Sequence, residues 1–345
     1  PDVQAAFVAL DAENGAVRAL VGGYNFFAGR YNRVTQARRQ PGSAIKPILF
    51  AAAMSKGYTP ASVIMDTPIV LDDTQLEDTW RPRNYSGRFY GPTRLREAMV
   101  HSRNIVAIRL LQGTGINDAR RYATRFGLPI ERMGNNLSLA LGSPVFSPLE
   151  MTSAFAVFAN GGFLVEPYYL DEVHGPRGEE IFKANPPRAC ESCERDQRER
   201  AAAGDESGEA LAPRAIDARI AYLMSDMLRE VTRRGTGARA RELGRGDIAG
   251  KTGTTNDETD AWFIGYTPKL VAGVWVGHDQ PQSLGRGEVG GRAALPIWID
   301  FMRVALQGVP ESTLARPPGL VSVRINPTTG RLARAGDPDA IFELV

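Results

Sequence analysis

The sequence predicts an α+β chain in which strand patterns and helix patterns are segregated along the length rather than alternating. Three observations carry this. Val3 to Leu10 and Ala16 to Val21 are apolar runs either side of Asp11-Ala-Glu-Asn14-Gly15, a β-hairpin signature. Between 95 and 160 apolar residues recur at helical spacing. After 247 the pattern changes to a period of two or to continuous apolar runs, Asp247 to Thr254, Asp260 to Tyr266 and Leu270 to Gly277, short neighbouring strands that imply an antiparallel meander. Strands and helices grouped in this way give the α+β class.

Taken in order, Gly22-Gly23 ends the hairpin and a polar, Arg-rich stretch leads to Arg39. Gly and Pro then punctuate the chain, and the run Ile45 to Met54 begins a helix at about Ser43 that Gly57 terminates. Residues 58–94, crowded with Pro, Asp, Asn and aromatic residues, read as a long loop forming the rim of a cleft. Helical patterns at Leu95 to Val100 and Ile105 to Leu111 are separated by His101-Ser102-Arg103-Asn104, residues that favour caps over helix interiors. Asn117 to Phe126 is a further helix stopped by Gly127. Ser147-Pro148-Leu149-Glu150 is a capping box opening a helix that runs to Asn160. Asn185 to Pro213 is rich in Arg, Glu, Ala and Pro and poor in large apolar residues, so a mobile insertion is expected there. Ile216 to Val231 is an amphipathic helix, Gly285 to Gly291 a glycine-rich loop and Pro296 to Leu306 a last helix. Leu320 to Ile325, a turn at Asn326 to Gly330 and Arg331 to Ala333 predict a terminal hairpin, with a short strand near Ile341.

Composition narrows the function. The 345 residues suffice for a sizeable core, 43% are hydrophobic and the net charge is +2, so no overall basic field argues for nucleic acid or an anionic membrane surface. The longest apolar runs are near ten residues, too short to cross a bilayer. No signal peptide opens the chain, and Pro1 directly before a strand reads as the start of an excised fragment. Cys190 and Cys193 form a Cys-x-x-Cys without a second pair or a nearby His, which reads as a loop disulfide or idle thiols rather than a metal site.

Ser43-x-x-Lys46 occurs by chance about once in a chain this long. Its context gives it weight. Only five of the 41 basic residues are lysines, and only lysine among them can give up its proton to act as a base. Residues three apart share a helical face, so Lys46 is expected within hydrogen-bonding range of the Ser43 hydroxyl, a nucleophile beside a potential base. Burial among Ile45, Ile48 and Leu49 pushes a lysine toward the neutral form. Two further signals follow: Ser102-x-Asn104 between helices and Lys251-Thr252-Gly253-Thr254 on a strand. The histidines suggest no triad, and Trp262, Trp275 and Trp298 read as core.

The order Ser-x-x-Lys, Ser-x-Asn, Lys-Thr-Gly resembles that of the penicillin-recognising serine acyltransferases. The stretches Arg39-Gln-Pro-Gly-Ser43, Arg81-Pro-Arg-Asn-Tyr85, Gly91-Pro-Thr-Arg-Leu-Arg-Glu97, Lys251-Thr-Gly-Thr-Thr-Asn256, Asp260-Ala-Trp262 and Gly290-Gly-Arg-Ala-Ala-Leu-Pro296 resemble the transpeptidase domain of class A penicillin-binding proteins. Arg103 stands where Ser-Asp-Asn enzymes carry Asp and reads as a variable position. The resemblance implies an α/β/α sandwich, with the sheet built from both terminal segments and the strands after 247, and a mainly helical subregion, 58–160, as the other cleft wall. It implies a transpeptidase domain over 1–310, with the mobile insertion at 185–213, and a β-rich tail, 311–345, packed on the same domain.

The resemblance also implies roles. Ser43 is the nucleophile, Lys46 the first candidate base, and Ser102 a proton relay tuned by Lys46 and Lys251. Asn104 meets the substrate amide, and Thr252, Gly253 and Thr254 bind an extended peptide and its terminal carboxylate. The N–H groups of Ser43 and Thr254 form the oxyanion hole; apart from the resemblance, the aromatic residues Trp80 and Tyr85 are candidates for the cleft rim. The implied activity is a D,D-transpeptidase acting on D-Ala-D-Ala stems of peptidoglycan and acylated by β-lactams. No cofactor or metal, no nucleic acid and no membrane contact beyond an upstream anchor are expected, at the periplasmic face of the inner membrane. A serine β-lactamase or D,D-carboxypeptidase shares the chemistry, but no clear Glu-x-x-x-Asn stretch offers a water-activating group. A non-catalytic sensor or scaffold with the same fold is the alternative of another class.

Overall fold

A computed structural model describes residues 2–27, 29–70, 80–194, 196 and 210–345. The N-terminal hairpin, β1 (Val3–Asp11) and β2 (Val17–Val21), turns at Gly15, whose φ of 82° suits a residue without a side chain. β1 pairs along its whole length with β9 (Leu270–His278), and β8 (Asp260–Tyr266) and β7 (Ala249–Thr254) follow. The sheet order is β2-β1-β9-β8-β7 and every pairing is antiparallel. β7 is therefore an edge strand.

Period-two alternation explains the layers. Ala6, Val8 and Leu10 face one cluster, with α1 (Lys46–Met54), α5 (Pro148–Ala159) and α6 (Ala218–Arg234), while Phe7 and Ala9 face the other, with the final helix α8 (Leu295–Ala305). β8 is buried throughout because both of its faces are covered, and Trp262, Trp275 and Trp298 lie in the core as the sequence predicts. This is the α/β/α sandwich expected from the resemblance. The Ser147 capping box is present: Ser147 Oγ accepts from Glu150 N at 3.1 Å and the Glu150 carboxylate accepts from Ser147 N at 2.7 Å.

Two expectations need correction. The stretch 58–94 is not all loop. Its described residues include β3 (Val63–Asp66) and β4 (Gly91–Arg94), paired with each other, while 71–79 lie outside the described residues. The partners are too far apart in sequence for local periodicity to reveal the ladder. A second hairpin, β5 (Glu172–His174) and β6 (Glu180–Lys183), also escaped the sequence reading. At the C-terminus the predicted hairpin forms, with an Ile325–Leu332 bridge, Asn326 N donating to Arg331 O and Ala333 N to Arg324 O, and β10 (Ser322–Ile325) also pairs with the strand expected near Ile341, β11 (Ile341–Leu344). Those two strands form their own sheet, so only the N-terminal segment joins the central one. The insertion expected at 185–213 lies partly outside the described residues; within it Cys190 and Cys193 are joined by a disulfide.

α2 (Leu95–Val100) and α3 (Asn104–Thr114) flank Ser102, whose hydroxyl meets Lys251 of β7, α4 (Ile116–Ala123) packs on α1 and α3, and α7 (Gly290–Ala293) packs on β7 and β8.

Candidate active site

The chain enters the site along a buried network. The Asp260 carboxylate accepts from Arg39 Nε at 2.7 Å and from Trp275 Nε1 at 2.7 Å, and Trp262 Nε1 donates to Gln40 O at 2.8 Å. These bonds pin the residues just before Ser43 to β8 and β9. Ser43 itself, half-buried, lies on a 3-10 turn, Gly42–Ile45, that runs directly into α1. Pro47 falls in the first turn of α1, where its missing N–H is tolerated.

Glycines bring this turn onto the edge strand. A Cβ on Gly253 would collide with Pro41 O, and one on Gly42, whose φ is 52°, with Thr254 O. Gly253 thus lets β7 press on the Ser43 turn, a closer approach than the one to substrate expected from the sequence. The bond from Thr255 N to Asp260 O fixes the ladder phase. Alternation along an antiparallel strand then turns the N–H and C=O of Thr252 and Thr254 out of the sheet, toward the free edge. The Ser43 N–H, at the start of its turn, has no intrahelical acceptor. Thr254 and the turn that carries Ser43 are therefore in close contact at Gly42, with the Thr254 N–H directed away from β8.

Lys46 and Lys251 are both 0% exposed, and among the described residues neither has a carboxylate partner. Lysine is almost never buried this way. Lys46 Nζ lies 2.8 Å from Ser102 O, 3.3 Å from Ser102 Oγ and 2.7 Å from Asn104 Oδ1, while Lys251 Nζ lies 3.0 Å from Ser102 Oγ and 3.0 Å from Thr252 O. The expected bond from Lys46 to Ser43 Oγ is not formed, because these acceptors on the opposite wall occupy the amine. Burial, reinforced by the charge of Lys251, holds the Lys46 amine well below its ordinary value. Burial pushes Lys251 down to about 7. Two amines biased toward neutrality thus share one hydroxyl.

Ser102 reaches them because its backbone has a φ of 54°, uncommon for a residue with a side chain. This conformation sits between α2 and α3 and presents both the carbonyl and the hydroxyl to the lysines. Asn104 donates from Nδ2 to Arg83 O at 2.9 Å, leaving one N–H and one lone pair of its amide for a ligand. Thr252 Oγ1 pairs with Thr236 Oγ1 at 2.7 Å, and Thr254 Oγ1 accepts from Gly290 N at 3.1 Å. The two Thr side chains share the face of β7 opposite that of Lys251.

The rim residues divide. Tyr85 is 75% exposed and its hydroxyl donates to Glu258 Oε1 at 3.2 Å, spanning from the helical wall to the β7–β8 connection. Trp80 is half-buried and packs against the core cluster, so of the two Tyr85 is the one on the rim. The sequence reading missed Asn84 and Asp66. Asn84 Oδ1 accepts from Asn104 N at 2.8 Å, and its Nδ2 donates to the fully buried Asp66 carboxylate at 2.8 and 2.9 Å. The signal available was Asn84 within Arg81-Pro-Arg-Asn-Tyr85; Asp66 gave none, being inside an apparent loop. No group of His, Cys, Asp and Glu among the described residues suits a metal ion.

Comparison with known proteins places the chain in a family. The penicillin binding protein transpeptidase domain family matches residues 5–302. The chain is 47% identical to penicillin-binding protein 1A of Pseudomonas aeruginosa, over 100% of this chain and 45% of that protein, and 40% identical to penicillin-binding protein 1A of Vibrio cholerae, over 99% and 44%. It thus spans less than half the length of these relatives. Penicillin-Binding Protein 1A from Haemophilus influenzae superposes with a TM-score of 0.91 at 37% identity, covering 100% of this chain and 53% of that one. PonA1 from Mycobacterium tuberculosis, solved in complex with penicillin V, gives 0.74 at 26%, covering 96% and 83%. This chain belongs to the penicillin binding protein transpeptidase domain family.

Proposed function

We propose that the chain is a D,D-transpeptidase that cross-links peptidoglycan stems through an acyl-Ser43 intermediate and is acylated by β-lactams. The observation that carries this is the convergence of two buried, carboxylate-free lysines on the Ser102 hydroxyl, one of them, Lys46, a helical turn on from Ser43. Ser43 Oγ attacks the D-Ala-D-Ala carbonyl, the carbonyl oxygen takes the developing charge against the Ser43 and Thr254 N–H groups, and the C–N bond breaks. Removing one such donor typically slows the step about 100- to 1,000-fold. The proton from Ser43 passes by way of neutral Lys46 and Ser102 to the departing D-Ala amine. Thr252 and Thr254 hold the substrate carboxylate, the free edge of β7 accepts the extended donor stem, and Asn104 meets its amide. An amine of a second stem then replaces the leaving D-Ala.

Among the described residues no carboxylate hydrogen-bonds Ser43, Lys46, Ser102 or Lys251, which supports transfer over a carboxylate-assisted hydrolysis such as a β-lactamase performs. The site would work at the periplasmic face of the inner membrane, with stems and β-lactams as partners. No helix among the described residues is long and apolar enough to cross a membrane.

Labelled penicillin with intact-mass measurement tests the reading. A stable mass increase in the wild type and none in Ser43→Ala is expected. Rapid return to the unmodified mass would point to a β-lactamase, and substrate processing unchanged by Ser43→Ala would point to a non-catalytic sensor or scaffold.

A further inference from the structure

The link from Ser102 to Asn104 is held at both ends. On the α2 side Ser102 N donates to Met99 O at 3.2 Å and Arg103 N to Ala98 O at 2.8 Å, the pair of bonds that usually sets glycine in the left-handed position, taken here by Ser102 with its φ of 54°. A residue in so sparsely populated a conformation persists only where its surroundings over-determine it. On the α3 side the helix begins at Asn104, and Arg103 before it supplies no side-chain cap. Asn84 supplies one from 20 residues upstream. Its Oδ1 accepts from Asn104 N at 2.8 Å and from Ile105 N at 3.4 Å.

Only an amide fits there. Asn84 is buried, and the groups facing its nitrogen all accept: Nδ2 donates to Asp66 Oδ1 at 2.8 Å, to Asp66 Oδ2 at 2.9 Å and to Arg88 O at 2.8 Å. The groups facing its oxygen, the first N–H groups of α3, all donate. Acceptors on one side and donors on the other fix which way the amide points, and a carboxylate of the same shape satisfies one side alone. Asp66, fully buried at the end of β3, has Asn84 as its side-chain partner among the described residues. The neighbouring Arg83 takes the Asn104 side chain, whose Nδ2 donates to Arg83 O at 2.9 Å while Oδ1 faces Lys46 Nζ at 2.7 Å.

What this link carries is the bonding of both lysines. Lys46 Nζ meets Ser102 O, Ser102 Oγ and Asn104 Oδ1, and Lys251 Nζ meets Ser102 Oγ. We infer that Asn84, oriented by Asp66, is a positioning residue for acylation: it fixes the Asn104 main chain so that the Ser102 hydroxyl stays between the two lysines and Asn104 Oδ1 stays on Lys46. Asn84 bonds the backbone of the link and no reacting atom.

The inference rests on the transpeptidase reading through its acyl-Ser43 step. Stopped-flow acylation with labelled penicillin, run over a range of penicillin concentrations well below the melting transition, separates the binding constant from the limiting acylation rate. No acylation in the wild type refutes the transpeptidase reading and this inference with it; a wild type that acylates leaves that reading standing, and the variants then test Asn84 alone. Asn84→Asp keeps the shape of the side chain but sets a carboxylate against Asp66 and Arg88 O. Its limiting rate is expected to fall about 100-fold in protein that still melts cooperatively, the loss typical of a misplacement of about 1 Å. Adding Asp66→Asn returns a donor to that side, and the double variant is expected to recover about tenfold, as side chains in direct contact are coupled. A merely structural role lowers the melting temperature and leaves the limiting rate of the folded protein unchanged, and that result overturns the inference. So does a loss confined to the binding constant, or a double variant no faster than Asn84→Asp. Should Asn84→Asp not fold, Asn84→Ala, which brings no like charges together, decides: a loss in limiting rate of about tenfold or more supports the inference and a smaller one overturns it.

Discussion

Lys251 shows how burial converts a common residue into a reactive one. Its ordinary value is 10.5 and burial brings it to about 7 in the folded chain. Between those values the unfolded chain holds the proton and the folded chain does not, so this group makes stability rise with pH across roughly 7 to 10.5. Below about 7 both states hold the proton and the full cost of burying a charge remains. Lys251→Met removes that cost. The variant is therefore expected to be more stable than the wild type at pH 6 to 7, by at most about 5 kcal/mol at about 1.4 kcal/mol per pKa unit, with the advantage shrinking as pH approaches 10. Urea midpoints of both proteins over that range check it; a difference independent of pH would contradict a neutral Lys251. The same substitution withdraws one of the two causes that depress Lys46, so Lys46 moves back toward its ordinary value.

At the scale of elements, the site depends on how closely an edge strand meets a turn. β7 reaches the Ser43 turn because Gly253 has no Cβ to strike Pro41 O, with Trp262 Cβ and Ala44 Cβ also near, at 3.0 and 3.1 Å from the place a Cβ would take. Gly253→Ala forces the two apart. Overpacking of this kind costs about 1–3 kcal/mol, and the displaced Thr254 N–H lowers the rate of penicillin acylation by about 100-fold. Stopped-flow acylation with a parallel thermal melt checks this, since a melt shift without a rate loss would remove Thr254 N–H from the oxyanion site. The element boundaries around the site were largely legible. The Ser147 capping box, the helices either side of Ser102 and the meander after 247 all carry local signals. β3 and β4 were not, since their pairing depends on residues far apart, and Asp66 and Asn84 went unseen with them.

At the scale of the whole molecule, the C-terminal strands brace the helical wall. Glu343 on β11, 2% exposed, pairs with Arg94 at the end of β4 and with Arg96 Nε at 2.7 Å in α2; Arg96 in turn pairs with Asp226 of α6 at 2.7 Å. α2 leads straight to Ser102. Glu343→Gln leaves two mostly buried guanidinium groups without their shared counter-charge, and loss of one partner of a buried pair costs about 3–5 kcal/mol. The unfolding midpoint is expected to fall accordingly, with faster amide hydrogen exchange across 322–325 and 341–344. Unchanged exchange there would show that the ion pairs do not hold the tail.

The sequence by itself determined the segregation of strands from helices and the identity of Ser43, Lys46, Ser102, Asn104 and Lys251 as candidates, because these rest on local spacing and on residue chemistry, while the α/β/α layering came only through the family resemblance. The tertiary structure alone decided which atoms meet. Lys46 is turned to Ser102 and Asn104 instead of Ser43, Trp80 packs half-buried against the core while the Tyr85 hydroxyl reaches Glu258, and the tail strands pair apart from the central sheet. The physical reason is that hydrogen-bond partners and burial are set by segments tens to hundreds of residues apart, and the depressed lysines that give Ser43-x-x-Lys46 its chemistry exist only once those segments have excluded water from both amines.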